Sequence, residues 1–188
     1  MSWIGKRIDS ASWRSFIIWF VALFAFSAWA FGMDSPWTRA LELAGGKLPE
    51  MQPSIPATEP VRSLQAMGTN TGDYILWQAL DIPYSVMNLM VARMGIGLGL
   101  KALRMENSFL RFAMALPPIY VVCELMENAL VASFALGTLS PSENVVLLQQ
   151  FATTLKFAAA APAMGLAIAG VLVAALAGAL KMVRKKHE

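Results

Sequence analysis

Residues 157–180 read FAAAAPAMGLAIAGVLVAALAGAL, 24 consecutive positions without a charge. A helix needs roughly 20 mostly apolar residues to cross the hydrocarbon core of a bilayer. The stretch therefore predicts a transmembrane helix. Its alanines and glycines suit close approach of a neighbouring helix. Followed outward until polar residues accumulate, the span covers about 145–182 and carries one lysine in its interior, Lys156, with Lys181 at its end.

Three more stretches satisfy the same criterion. The first is about 13–32, WRSFIIWFVALFAFSAWAFG; the second is about 72–100 and the third about 109–136. The last three of the four exceed the minimum length, so they tilt or project beyond the bilayer. Composition agrees: the chain is 57% hydrophobic and 14% charged, against roughly 25% charged in soluble domains. The predicted fold is an all-α integral membrane protein, a four-transmembrane-helix bundle forming a single membrane domain over 1–188. The first span has a basic start and an Ala28-Trp29-Ala30 sequence resembling a cleaved signal. Its apolar run is long for a signal, which predicts retention.

Lysine and arginine in short loops set orientation. Lys6, Arg7 and Arg14 precede the first span, Lys101, Arg104 and Arg111 surround the second connector, and Lys181, Arg184, Lys185 and Lys186 follow the fourth. Four crossings place all three groups on one face, so both termini are expected in the cytoplasm. The long 34–71 segment and the short GTLSPSEN connector fall on the extracytoplasmic side. Prolines and glycines forbid one continuous helix in 34–71. Short helices are expected at SPWTRALELAG and TEPVRSLQAMG, with serine or threonine caps and glycine stops. The segment either covers the bundle mouth or merely connects two spans.

Cys123 is the only cysteine and His187 the only histidine. An intrachain disulfide, a cysteine-rich metal site and histidine catalysis inside the membrane are thereby excluded. No metal and no cofactor is expected. The basic residues at span ends do not imply nucleic acid.

Charge at mid-bilayer is costly and normally faces the protein interior. The spans contain Asp81, Arg93, Glu124, Glu127 and Lys156. At a rise of roughly 1.5 Å per residue, Asp81 and Glu127 lie roughly 13 Å from the outer boundary, and Lys156 roughly 16 Å. Three helices thus carry ionisable groups at one level. Residues three and four apart share a helix face. Trp77, Asp81, Tyr84 and Asn88 form one stripe; Tyr120, Glu124, Glu127 and Asn128 a second; Gln149, Thr153 and Lys156 a third. They should converge on one interior network, either a ligand site or a static lock. With three carboxyls facing one lysine, one of Glu124 and Glu127 is expected to hold a proton. Arg93, roughly 12 Å from the inner boundary, is long enough to reach a lipid headgroup. Beside it, Gly95, Gly97 and Gly99 permit close helix contact, and Pro117, Pro118 and Pro162 should distort their helices. Tyr74 and Trp77 are expected as interface anchors, Met87, Met90 and Met94 as core filler, and Cys123 as inert core.

Three short motifs carry a resemblance: DIPY at Asp81–Tyr84, ELMEN at Glu124–Asn128, and TTLK at Thr153–Lys156. Together they resemble a group of small bacterial four-helix membrane proteins with an acidic-x-x-Glu-Asn signature in the third helix. Glu124 stands where that group usually has aspartate. The resemblance spans roughly residues 48 to 165, implies a bacterial cytoplasmic membrane and supports the same polar residues, but implies no chemistry.

Three functions fit these residues. One is a non-catalytic protein that binds a lipid or isoprenoid, or serves as an accessory subunit of a larger complex. Another is an enzyme on lipid, with Glu124 and Glu127 as acid and base and Lys156 stabilising an anion; the catalytic residues are otherwise unknown. The third is a proton-coupled transporter, which would need a homo-oligomer. The expected partners are membrane lipid and a protein partner or second copy.

Overall fold

The computed structural model describes residues 3–48, 50, 58–66, 71–105 and 109–185. These are helical or connecting, and no strand occurs among them. In chain order the helices are α1 (Trp3–Asp9), α2 (Trp13–Ala30), α3 (Pro36–Leu43), α4 (Thr58–Ala66), α5 (Gly72–Ala102), a 3-10 segment (Phe109–Ala115), α6 (Leu116–Ala135) and α7 (Glu143–Lys185).

Three stretches are long and apolar enough to cross a membrane: Trp13–Ala30, Phe109–Ala135 and Glu143–Lys185. Their surfaces agree with a multi-pass membrane protein. On α2 only Ala30 is buried, while Phe24 is 70% exposed. Along α7, Leu172, Leu176 and Leu180 are exposed as well. A contiguous apolar surface of this size marks contact with an apolar medium or a partner.

The second expected span differs. It forms a 31-residue helix, α5, but is not among the stretches apolar enough to qualify. Gln78, Asp81, Asn88 and Arg93 interrupt its apolar character. The third span changes helix type instead of running through: Pro117 and Pro118 sit in the first turn of α6, where a missing N–H costs little, and the preceding turn is 3-10. Pro162 lies inside α7 and does not end it; the whole helix has 43 residues, or roughly 65 Å. α1 was not legible beforehand; seven residues are too few to show a periodicity.

The chain divides into two compact units. One comprises Met1–Leu23, Met87–Tyr120 and Ala158–Glu188. Its core joins Ile8, Ala92, Ile96, Leu100, Met114, Ala163 and Ala167. Glycine makes this packing close. A Cβ on Gly97 would lie 2.6 Å from that of Ala11, and one on Gly99 would strike the Cα of Gly170. Lys101 Nζ donates to the carbonyls of Asp9 and Ala11, each at 2.7 Å, which pins the junction of α1 and α2.

The other unit comprises Phe24–Val86 and Val121–Phe157. Here α3 begins as expected: Ser35 Oγ accepts the Thr38 amide at 3.2 Å, and Pro36 opens the helix. It stops at Gly45 and Gly46, whose φ of 70° and 87° lie in the left-handed region that glycine tolerates. α4 also forms, although its expected glycine stop lies outside the described residues. Ala40, Ala44 and Leu48 pack with Tyr74, Trp77 and Val131, and Val61 and Leu64 pack on Phe134 and Val146. The 34–71 segment is therefore more than a connector: its described helices cover the ends of α5, α6 and α7 in this unit.

Candidate functional site

The polar groups of α5, α6 and α7 meet inside the second unit. Lys156 carries the only positive charge among the site side chains, and it lies between two carboxylates. Its Nζ is 3.1 Å from Glu124 Oε1 and 2.7 Å from Glu127 Oε2. Helical spacing explains the pair, since Glu124 and Glu127 occupy one face of α6 three residues apart. All three are buried, Glu124 to 4% exposure, Glu127 to 1% and Lys156 to 8%. A buried ammonium is tolerable there because carboxyl groups lie directly against it.

A second link joins α5 to α6. Asn128 Nδ2 donates to Asp81 Oδ2 at 3.2 Å, and the Asp81 carboxyl lies within hydrogen-bonding reach of Glu124. Asp81 therefore pairs with the ELMEN face and not with Lys156. On α7, Gln149 Nε2 donates to Thr153 Oγ1 at 2.8 Å, and that hydroxyl donates to the Gln149 carbonyl at 3.1 Å. Asp81, Glu124, Glu127, Asn128 and Lys156 thus form one polar network, and Thr153 is bonded within α7 to Gln149.

The remaining sequence candidates divide between the two units. Tyr84 stacks among aromatic rings, 6.2 Å from Phe26 and 5.3 Å from Phe31 between centroids. Asn88 and Tyr120 belong to the other unit. So does Arg93, whose Nη2 donates to Ser10 Oγ at 2.8 Å; its guanidinium holds the α1–α2 junction alongside Lys101. Cys123 is buried, as expected of inert core. Met87 and Met94 are buried and Met90 half-buried.

Two aromatic residues correct the expectation placed on them. Tyr74 and Trp77 are 0% and 4% exposed, core residues and not interface anchors. The covering helices cause this: Trp37 of α3 meets Trp77 with centroids 4.9 Å apart. The Tyr74 hydroxyl then needs a partner and finds one from the connector. It donates to Glu50 Oε2 at 2.8 Å, while Gln78 Nε2 donates to Glu50 Oε1 at 3.0 Å. Burial pushes the Glu50 carboxyl above its ordinary range, while these two donors and the Lys156 charge act in the opposite sense. Glu50, Tyr74 and Gln78 were missed as site residues. Gln78 follows Tyr74 by one helical turn, and that polar pair was the available signal. Nothing local marks Glu50.

Chemically, Glu124 and Glu127 hold one ammonium between α6 and α7, Asp81 ties α5 to α6 through Asn128, and Glu50 ties the connector to α5 through Tyr74 and Gln78. Among the described residues no cluster of three or more His, Cys, Asp or Glu side chains is arranged to hold a metal ion. No protein-family model, curated protein or solved structure matches the chain.

Proposed function

We propose that the chain is a non-catalytic integral membrane protein of four spans that binds a membrane lipid or isoprenoid, with the Asp/Glu/Lys network as an internal lock. One observation carries this reading: Lys156 is ion-paired to both Glu124 and Glu127. The two carboxyls that an acid–base enzyme would use on substrate, and the cation that would stabilise its anion, are engaged with each other. Such a network holds helices in one arrangement, a known use of polar groups between spans.

In this reading α2, α5, α6 and α7 are the four spans. α5, roughly 46 Å long, is long enough to cross, and Gln78 and Asp81 are spent on protein partners instead of lipid. Both termini are cytoplasmic, following the basic loops, and α3 and α4 cover the extracytoplasmic end. The resemblance carried by DIPY, ELMEN and TTLK supports a bacterial cytoplasmic membrane.

The test is native mass spectrometry of the protein purified in mild detergent, for wild type and Glu127→Gln. The expected result is a stoichiometric lipid on both. A stoichiometric protein partner without lipid would make the chain an accessory subunit. Loss of lipid from a folded Glu127→Gln variant would make the network the ligand site and overturn the lock.

A further inference from the structure

The first unit has a groove with no polar side chain in its wall. Its lining includes Gly99, Leu103, Leu110, Ala113, Ala169 and Val173. α5, the 3-10 segment and α7 supply these residues, and the close approach of Gly99 to Gly170 sets the floor. Leu103 and Leu110 are exposed on its rim. Two of the contributing stretches, Phe109–Ala135 and Glu143–Lys185, are apolar enough to lie in a bilayer. A groove of this composition suits a hydrocarbon chain.

The rim is basic. The connector 101–111, KALRMENSFLR, has three basic residues against one acidic, and that acidic residue, Glu106, lies outside the described residues. Lys101 is occupied with the carbonyls of Asp9 and Ala11. Arg104 and Arg111 are different: each directly follows a groove-lining leucine, Leu103 and Leu110. Arg104 is exposed and stands at φ 56°, the left-handed position that ends α5, where Met105 N donates back to the Leu100 carbonyl at 2.8 Å. Arg111 lies over the Phe112 ring, 5.3 Å from its centroid. Guanidinium groups bind phosphate in a forked geometry.

We propose that this groove holds one acyl chain of an anionic phospholipid, with its phosphate on Arg104 and Arg111. The assignment rests on the lipid-binding reading above and deepens it by naming site and headgroup. A basic pocket between helices on the cytoplasmic side is a recognised way to bind anionic lipid. The same arginines that orient the connector then select the lipid.

The experiment titrates delipidated full-length protein in detergent with phosphatidylglycerol or phosphatidylcholine of identical acyl chains, read by native mass spectrometry. Wild type should prefer phosphatidylglycerol by on the order of 20-fold, about fivefold from each arginine. Arg104→Gln with Arg111→Gln should abolish the preference while retaining weak binding of both lipids. Ala113→Trp, which fills the groove, should weaken both lipids. Equal affinities in wild type, or a preference unchanged in the arginine variant, overturn the headgroup assignment and leave lipid binding standing. Undiminished binding by Ala113→Trp moves the chain elsewhere and overturns the groove. A lipid-free dimer would make the groove a contact between copies, and no binding of either lipid by wild type would sink the lipid-binding reading itself. The arginine variants change exposed or half-exposed positions, so they report even where tryptophan disturbs packing.

Discussion

Lys156 shows how a single residue organises this interior. A buried ammonium is tolerated when its neighbours supply opposite charge, and removing one partner leaves the others uncompensated. Lys156→Met should therefore destabilise the protein by about 3 kcal/mol, because Glu124 and Glu127 would face each other without a cation. Glu127→Gln should cost less, since Lys156 keeps its 3.1 Å contact with Glu124. Reversible unfolding in mixed detergent micelles would measure both. A Lys156→Met protein as stable as wild type would mean that the ion pairs hold nothing. At this scale the network was half legible. Asp81, Glu124, Glu127 and Lys156 stand out because charge is rare in apolar helices, and spacing placed each on a face. Which carboxylate meets the lysine was not legible. Rotation and depth of packed helices decide it, and they put Asp81 against Asn128 and both glutamates against Lys156. Glu50 was out of reach altogether, since it contacts Tyr74 and Gln78 across 24 and 28 residues of chain.

Elements obey the same division. The long helices were visible from length and apolarity alone, as was the start of α3 from Ser35 and Pro36. Their details depended on contacts. α5 combines polar positions with small ones, and its glycines are where it meets other backbones. Gly99→Leu should destabilise the protein by about 2 kcal/mol or more, as overpacking of a tight contact does, because its Cβ would strike the Gly170 backbone. Gly178→Leu is the control, since a Cβ there meets nothing within 4 Å, and leucine is the better helix former. Thermal unfolding of the two variants side by side checks the difference. Equal midpoints would show that the glycine contact does not set the spacing of α5 and α7. The switch from 3-10 to α at Leu116 had only the Pro117-Pro118 pair as a signal, and a proline pair is compatible with a kink, a break or a helix start.

At the scale of the whole molecule, topology is the testable quantity. Two cytoplasmic termini and an extracytoplasmic 34–71 segment require four crossings, although only three stretches meet the apolarity criterion. In a Cys123→Ser background, cysteine at Ser12 or Lys181 should react with an impermeant maleimide only in inside-out vesicles. Cysteine at Lys47 should react only in right-side-out vesicles. Labelling of positions 12 and 181 from opposite sides would remove α5 as a span and leave three. The distribution of lysine and arginine argues for the first outcome, because moving a basic loop across a membrane is disfavoured.

What the amino-acid sequence determined by itself is what depends on local composition: helices, their long apolar runs, and polar residues gathered on single faces of α5, α6 and α7. Length against bilayer thickness and a periodicity of 3.6 residues are properties of one segment, so they can be read without knowing its neighbours. Only the tertiary structure decided which polar groups pair, that Tyr74 and Trp77 are core, that Glu50 meets Tyr74 and Gln78, and that α3 and α4 pack as a cover. Each of these depends on the relative rotation and depth of elements far apart in sequence. Those are set by side-chain packing and by the need of every buried polar group for a partner, which no single segment reveals.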